Sequence, residues 1–502
     1  MNLTPLVRTF FSRRVAAIDS YADRAEQLQR TVLARLVRSA ARTAWGERHG
    51  YDGLRSYEDF AARVPLTDYE ALKGDIDRMR HGERDILWPG RVRWYAKSSG
   101  TTNDKSKFIP VSDRGLQHLH YAGGRDSVAV YLRNRPDSRL FTGRSLILGG
   151  SHQPNYDSPS SRVGDLSAIL NENASPFVRL FRVPSKSTAL LEDFDRKREL
   201  IAEETFDKNV TSIAGVPSWM MAVIMKVLER AGAKTLDEVW PNLEVFFHGG
   251  VAFTPYREQY HRLIPSARMS YMETYNASEG FFGLQTDPGD RAMTLMLDYD
   301  VFYEFIPLEE VGTAHPTVLP LWEVEANRHY ALVISTSCGL WRYQIGDTVR
   351  FTQTFPHKFV ISGRTKSFIN AFGEELMVDN AEQGLKAACK ATGAEVREYT
   401  AAPVFMDSAG KCRHQWLIEF AQAPADLGLF AHALDEALRA INSDYDAKRY
   451  KDITLQQLEI VTARPGLFDD WLRSRGKLGG QHKVPRLSNH RDLIEEILAM
   501  NA

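Results

Sequence analysis

The sequence predicts an α/β protein with a large N-terminal domain of mixed sheets and helices over residues 1–364 and a small α+β domain over 365–502. Three observations predict it. At 502 residues the chain is too long for one ordinary core. From about Arg144, short apolar runs ending in glycine alternate with helical periodicity, as α/β layers require. After ISGRTKSF (361–368) a second pattern of helix, strand, strand and helix begins.

The elements follow in order. The N-terminus, MNLTPLVRTFFSRRVAA, is basic and mixed and lacks the sustained apolar core of a signal peptide, so it reads as the start of a helical region. Leu28, Val32, Leu33, Leu36 and Val37 recur at helical spacing within 22–45. An amphipathic helix packed on the domain is preferred over one lying on a membrane. Phe60 to Met79 alternates turn signals with another helical pattern, and a polar, glycine-containing loop follows at Ser98–Lys107. RSLILGG (144–150), TSIAG (211–215) and LEVFFHGG (243–250) each read as a strand feeding a loop, with a helix over Pro217–Arg230 between two of them. That alternation predicts a largely parallel sheet. The stretches 293–308 and 329–351 are β-rich and read as paired in sequence; antiparallel pairing is one option, and periodicity alone does not decide it. In the small domain, 378–393 reads as a helix, 396–407 and 413–420 as strands, and 425–442 as a second helix. There is no internal repeat.

Composition narrows the function. Hydrophobic residues are 43% and charged residues 25%, the balance of a soluble globular protein. The 63 basic and 64 acidic side chains argue against a broad nucleic-acid surface. No apolar run approaches the ~20 residues that cross a bilayer. Neither nucleic acid, membrane nor a protein partner is expected. Cys338, Cys389 and Cys412 have no metal-ligand spacing and no even pairing, which favours a reducing, cytoplasmic setting. His118 and His120 are two apart and would not share a helical face, so a zinc hydrolase is a weak reading.

The stretch SSGTTNDKSKFIP (98–110) gathers Ser98, Ser99, Thr101 and Thr102 around Gly100, with Lys105 and Lys107 behind. Hydroxyls and backbone N–H groups in a glycine turn offer donors to phosphate oxygens. No Gly-Lys-Ser/Thr closes it, so it is not a Walker A loop, and a solvated loop is the plain alternative. Further on stand HGGVAFTP (248–255), YNASEG (275–280), RYQIGD (342–347), SGR (362–364) and QHKVPR (481–486). Glu279, in a glycine-bounded turn, could hold Mg²⁺ or simply start a helix. Asp347, after a glycine at a strand end, could grip two ribose hydroxyls or only form a turn. Lys483 sits in a turn-like stretch and could equally be a solvated cation.

Taken together, these motifs resemble the Gretchen Hagen family of acyl-acid amido synthetases, within the adenylate-forming superfamily of acyl-CoA ligases and luciferases. TAWGERHG (43–50), VPLTDYEAL (64–72) and GRTKSFINAFGEEL (363–376) extend the resemblance through most of the chain. It implies ATP and Mg²⁺ as cofactors, a carboxylic acid and an amino acid or other amine as substrates, and a mobile small domain. Ser98, Ser99, Gly100, Thr101 and Thr102 would hold the β- and γ-phosphates, Ser99 and Thr102 as catalytic donors. Gly249 and Gly250 would line the adenine pocket, with Tyr275 against the base. Asn276, Ala277 and Ser278 would complete the nucleotide contact, Ser278 at the α-phosphate, and Glu279 would stand beside the metal. Asp347 and Arg364 would hold the ribose. Lys483 would swing in from the small domain as a catalytic cation, with Arg364–Ser367 as the hinge. Three positions depart from the family pattern: Asp104 for glycine, Gln344 for arginine and Glu375 for lysine. The last two remove positive charge near the expected phosphates.

The acyl pocket is expected within Ser151–Phe181, including Asp165, Ile169 and Leu170, and at Phe281 and Phe282. Two alternatives stay open. One keeps adenylation with a thiol acceptor, coenzyme A or a carrier protein. The other is a nucleotide-binding regulatory protein without catalysis.

Overall fold

A computed structural model describes residues 2–501 except 99–106, 155–157, 251–252, 254–255, 366–367, 370–373, 375, 405–411, 443–444, 447–448, 450–454, 479–482 and 489. Twelve strands among these residues form one sheet. In chain order they are β1 (Arg144–Ile147), β2 (Arg182–Val183), β3 (Val210–Gly215), β4 (Val245–Gly249), β5 (Ser270–Ala277) and β6 (Gly280–Leu284). There follow β7 (Met293–Leu295), β8 (Val301–Pro307), β9 (Leu319–Pro320), β10 (His329–Thr336), β11 (Tyr343–Thr354) and β12 (His357–Arg364). Their spatial order is β9-β8-β10-β11-β12-β7-β6-β5-β4-β3-β1-β2.

The parallel sheet expected from the sequence is only one wing of this one. β2, β1, β3, β4 and β5 run parallel. From β5 to β9 every pairing is antiparallel. Connection length explains the change. The helix Pro217–Ala231 carries the chain back between β3 and β4, whereas short turns link β5 to β6 and β11 to β12, and a short turn can only reverse direction.

Each face of the parallel wing has its own cover. Leu146, Ile213 and Phe246 are fully buried with Met220, Val223 and Ile224 of the Pro217–Ala231 helix. On the other face, Phe247 meets Tyr131 of the helix Tyr121–Asn134 edge to face at 5.9 Å. The N-terminal helices Thr4–Asp19 and Tyr21–Ala40 follow the helical reading. Val32, Leu33, Leu36 and Val37 are buried in the main core, so the second helix packs on the domain.

A second core lies in the C-terminal part. β13 (Glu395–Val404) and β14 (Arg413–Gln422) pair antiparallel, and β15 (Glu459–Thr462) joins β14 in parallel. Helices Val378–Thr392 and Leu427–Ile441 pack over them through Leu385, Leu434 and Leu438, and Trp416 stacks on Tyr399 at 5.6 Å. The strand expected over 396–407 ends at Val404; its last residues lie outside the described ones. Among the described residues no helix is long and apolar enough to cross a membrane.

Candidate active site

The carboxyl ends of β3, β4 and β5 open into a cavity of about 2550 Å³ that also reaches the small domain. Ligands of parallel α/β sheets bind at that end of the strands. Gly249 closes β4 opposite Thr274. A β-carbon there would stand 2.4 Å from the Thr274 carbonyl oxygen, so only glycine lets the two backbones approach this closely. Gly250 turns the chain with φ of +85°. The two glycines therefore make a corner of bare backbone on the cavity wall.

Ser278 and Glu279 form the two-residue turn between β5 and β6, both buried and both lining the cavity. The helix-start reading of Glu279 is thereby replaced by a hairpin turn. Asn276 and Ala277 line the cavity from the end of β5. The buried Tyr275 hydroxyl donates to Asp347 Oδ2 at 2.5 Å. Its ring is wedged edge-on between Phe282 and Phe359.

Asp347 is not at a strand end, as expected, but inside β11. There β10 loses register: Val333 pairs with Gln344 and Ala331 with Thr348, leaving 345–347 as a bulge in which Gly346 has φ of +90°. Such a bulge re-aims a side chain that a regular ladder would hold elsewhere. The same disruption corrects a second expectation. Gln344 pairs by its backbone N–H with the Thr67 carbonyl and is itself absent from the cavity lining. Arg342, in the same motif, is structural. It forks onto Glu304 at 3.0 and 3.1 Å and donates to the carbonyls of Ala61 and Val64, all in the core.

Lys483 reaches this site from the small domain. Its segment is held against β13 by the buried Val484, by Thr400 Oγ1 donating to the Pro485 carbonyl at 2.7 Å, and by Ala401 N–H donating to the Arg486 carbonyl at 2.9 Å. The ammonium would lie 3.9 Å from a β-carbon built on Gly250. A cation more than 200 residues downstream thus stands at the glycine corner on a segment fixed by the pairing of the residues that follow it.

Some expected contacts fall elsewhere. Ser99, Gly100, Thr101, Thr102 and Asp104 lie outside the described residues, as do Glu375 and the hinge positions Lys366 and Ser367. Ser98 ends the strand Trp94–Ser98 and pairs with Lys107 across the loop's base. The backbone of Arg364 pairs with Asp347. In the expected acyl region, Leu170 lines the cavity but Asp165 and Ile169 do not. Phe281 lines it too, while Phe282 is core against Tyr275 and Tyr303. Phe281 lies over Gly123, where a β-carbon would stand 2.1 Å from the ring.

The sequence reading missed one group of residues. In the cleft between the two parts of the chain, Glu273, Arg257 and Arg291 line the cavity opposite Lys386 and Lys390 of the helix Val378–Thr392. Burial raises the Glu273 carboxyl to about 7, opposed by the charges of Arg257 and Arg291. Lys386 is lowered by burial, then by Arg291 and Arg257. The only sequence signal was the single charged residue in the strand SYMETYNA, two residues before Tyr275. Nearby, His248 stacks on Phe253 at 4.1 Å, and burial lowers it to about 3, so it stays neutral.

Comparisons with known proteins bear on family and fold. Residues 14–269 match the GH3 family N-terminal domain, 294–364 its central domain and 379–492 its C-terminal domain. An indole-3-acetic acid-amido synthetase, GH3.8 of Oryza sativa subsp. indica, is 26% identical, over 95% of this chain and 91% of its own length. GH3.3 of Arabidopsis thaliana, of the same description, is 23% identical over 93% and 90%. Among solved structures, the GH3.15 acyl acid amido synthetase in complex with 2,4-DB superposes with a TM-score of 0.79 at 18% identity, covering 97% of this chain and 95% of that one. A 2-hydroxyisobutyryl-CoA ligase in its postadenylation state shares the fold with a TM-score of 0.58 at 11% identity, covering 95% and 93%.

Proposed function

Because this chain belongs to the GH3 family, we propose that it is an ATP-dependent ligase that adenylates a carboxylic acid and passes the acyl group to the amine of an amino acid. The observation that carries this reading is the meeting of Lys483 with the glycine corner, in one cavity with Ser278, Glu279 and the Tyr275–Asp347 pair.

A carboxylate is a poor acyl donor until its oxygen is made part of a good leaving group. Attack on the α-phosphate of ATP does this, and negative charge spreads over both phosphoryl ends as pyrophosphate leaves. Bare backbone at Gly249–Gly250 admits the nucleotide, Tyr275 orients Asp347 toward the ribose, and Arg364 completes that contact. Ser278 donates to the α-phosphate, and the loop 98–102 serves the outgoing phosphates. The Lys483 cation stands where charge accumulates, a preorganised position that needs no rearrangement during the step. Glu279 fits Mg²⁺, which takes one or two protein carboxylates and fills its shell with phosphate oxygens and water. When bound, the ion supplies Lewis acidity and a template for the phosphates.

The second half-reaction requires a neutral amine. Glu273, raised to about 7, is suited to take the proton of an incoming ammonium. Arg257, Arg291, Lys386 and Lys390 around it favour an acceptor that carries a carboxylate, which is what separates an amino acid from a simple amine. We place the boundary between the two domains at 364/365, with Arg364–Ser367 as the hinge that exchanges the two active-site faces. Three free thiols suit a reducing cytoplasm.

The test is pyrophosphate release from ATP, Mg²⁺ and a panel of carboxylic acids, with hydroxylamine trapping the acyl-adenylate. Acid-dependent release that disappears in Glu279→Ala and Lys483→Ala is expected. Release that is independent of acid, or unchanged in both variants, would sink the proposal.

A further inference from the structure

One branch of the cavity runs away from the glycine corner along the face of the parallel strands, and its floor is laid out by register. Gly249 and Thr274 form the row at the nucleotide end. The next row on the same face is Ile147, Ala214 and Phe247. The row after that is Arg182, Ser145 and Ser212. The last two share a face, since Ser145 Oγ lies 2.6 Å from Ser212 Oγ. All of these residues line the cavity. At ~3.3 Å per strand residue, the third row lies roughly 13 Å from the first. The opposite wall is Tyr121 and Val128 with Leu170.

The middle of this branch is apolar, as an acyl pocket should be, but its far end is not. Arg182 Nη1 donates to Asn171 Oδ1 at 3.1 Å, and no carboxylate among the described residues pairs with it. Burial lowers its pKa, and the charge of Arg179 adds to that effect. By contrast, Asp side chains neutralise the partly buried Arg14 and Arg133 elsewhere in the large domain. A guanidinium left half-buried without a counter-ion is costly unless something else supplies the charge.

We infer that the acid substrate carries a second anionic group, held by Arg182 at the far end of the acyl branch while its reacting carboxylate lies at the glycine corner. This rests on the adenylation reading above. A medium-length dicarboxylate, or an aromatic acid with a second acidic substituent opposite the first, has the required span. The planar fork of arginine suits a carboxylate better than a lone hydroxyl. Ser145 and Ser212 stand in the same row to donate further hydrogen bonds. The apolar row at Ile147, Ala214 and Phe247 holds the hydrocarbon between the two charges.

The experiment uses the full chain with ATP, Mg²⁺ and hydroxylamine, and measures kcat/KM for pyrophosphate release with matched pairs. Octanoate is compared with suberate, and phenylacetate with its para-carboxylated counterpart. The diacid of each pair is expected to be preferred by roughly 10-fold or more, the size of one charge-assisted contact. Arg182→Leu should abolish or invert that preference, and Arg182→Lys should keep part of it, through KM more than kcat. Preference for the monoacids, with the same ratio in Arg182→Leu, would overturn this inference and leave adenylation standing. No release from any acid, in a protein that still binds ATP, would overturn both.

Discussion

Lys483 and Glu273 are proposed to serve opposite halves of the reaction, and each can be tested alone. The Lys483 segment is fixed by the residues that follow it, so Lys483→Ala removes the cation without disturbing Val484 or the contacts to Thr400 and Ala401. Acid-dependent pyrophosphate release should fall roughly 10²–10³-fold. Amide formation from a preformed acyl-adenylate should change far less, and equal losses in the two assays would remove its swinging role. Glu273 carries a sign that pH can read. Its folded pKa of about 7 lies above the ordinary glutamate value, so the native state holds the proton more tightly than the unfolded chain. Its contribution to stability is present below the unfolded pKa and is lost as pH rises through the folded one. Glu273→Gln should therefore raise the melting temperature at pH 8 and leave it unchanged near pH 4. The same substitution should flatten the rise of acyl transfer between pH 6 and 8. A wild-type profile without an inflection in that window would argue against Glu273 as the base.

At the scale of elements, the irregularity between β10 and β11 ties fold to function. The bulge at 345–347 aims Asp347 at Tyr275, while Arg342, three residues before it, is locked into the core by Glu304. Burial raises the Glu304 carboxyl, and Arg342 opposes that rise. Arg342→Met strands the acid and should cost about 3–5 kcal/mol in urea unfolding. Adding Glu304→Leu should restore most of it, because two apolar groups leave nothing unpaired. Gly123 is the matching device on the other side of the cavity. Its helix lies so close to β6 that a methyl group would meet the Phe281 ring. Gly123→Ala should push Phe281 toward the acyl branch, raising KM for bulky acids more than for small ones in the hydroxylamine assay.

For the whole molecule, the proposed hinge makes the arrangement of the two cores decide which half-reaction is served. In this structure the Lys483 ammonium lies near the Gly249–Gly250 corner, and Arg262 of the large part pairs with Glu395 of the small part at 2.6 Å. Both side chains are partly exposed, so the pair is worth at most ~1 kcal/mol and weakens with salt. Arg262→Ala should lower the adenylation rate a few-fold at low ionic strength, and the difference should vanish in high salt. An effect that persists in high salt would mean the pair does more than hold the closed arrangement.

Much of this was legible in the chain itself. Local pattern determined the helices, most of the strands and the second α+β unit, and the order of the motifs carried the resemblance from which the nucleotide roles are proposed. Periodicity, glycine geometry and turn chemistry act over a few residues, and a short window contains them. What stayed hidden depends on residues brought together from far apart. Strand register set the antiparallel wing, the bulge that moves Asp347 into a strand interior, and the row that joins Arg182 to Ser145 and Ser212. Packing decided that Gln344 stands off the cavity wall, that Arg342 is structural, and that Phe281 rather than Phe282 faces the cavity. The raised carboxyl of Glu273 belongs to neither its strand nor its neighbours in sequence. It arises only where folding removes water from that carboxylate and brings Arg257 and Arg291 to it, because desolvation and Coulomb energy depend on distance in space and not along the chain.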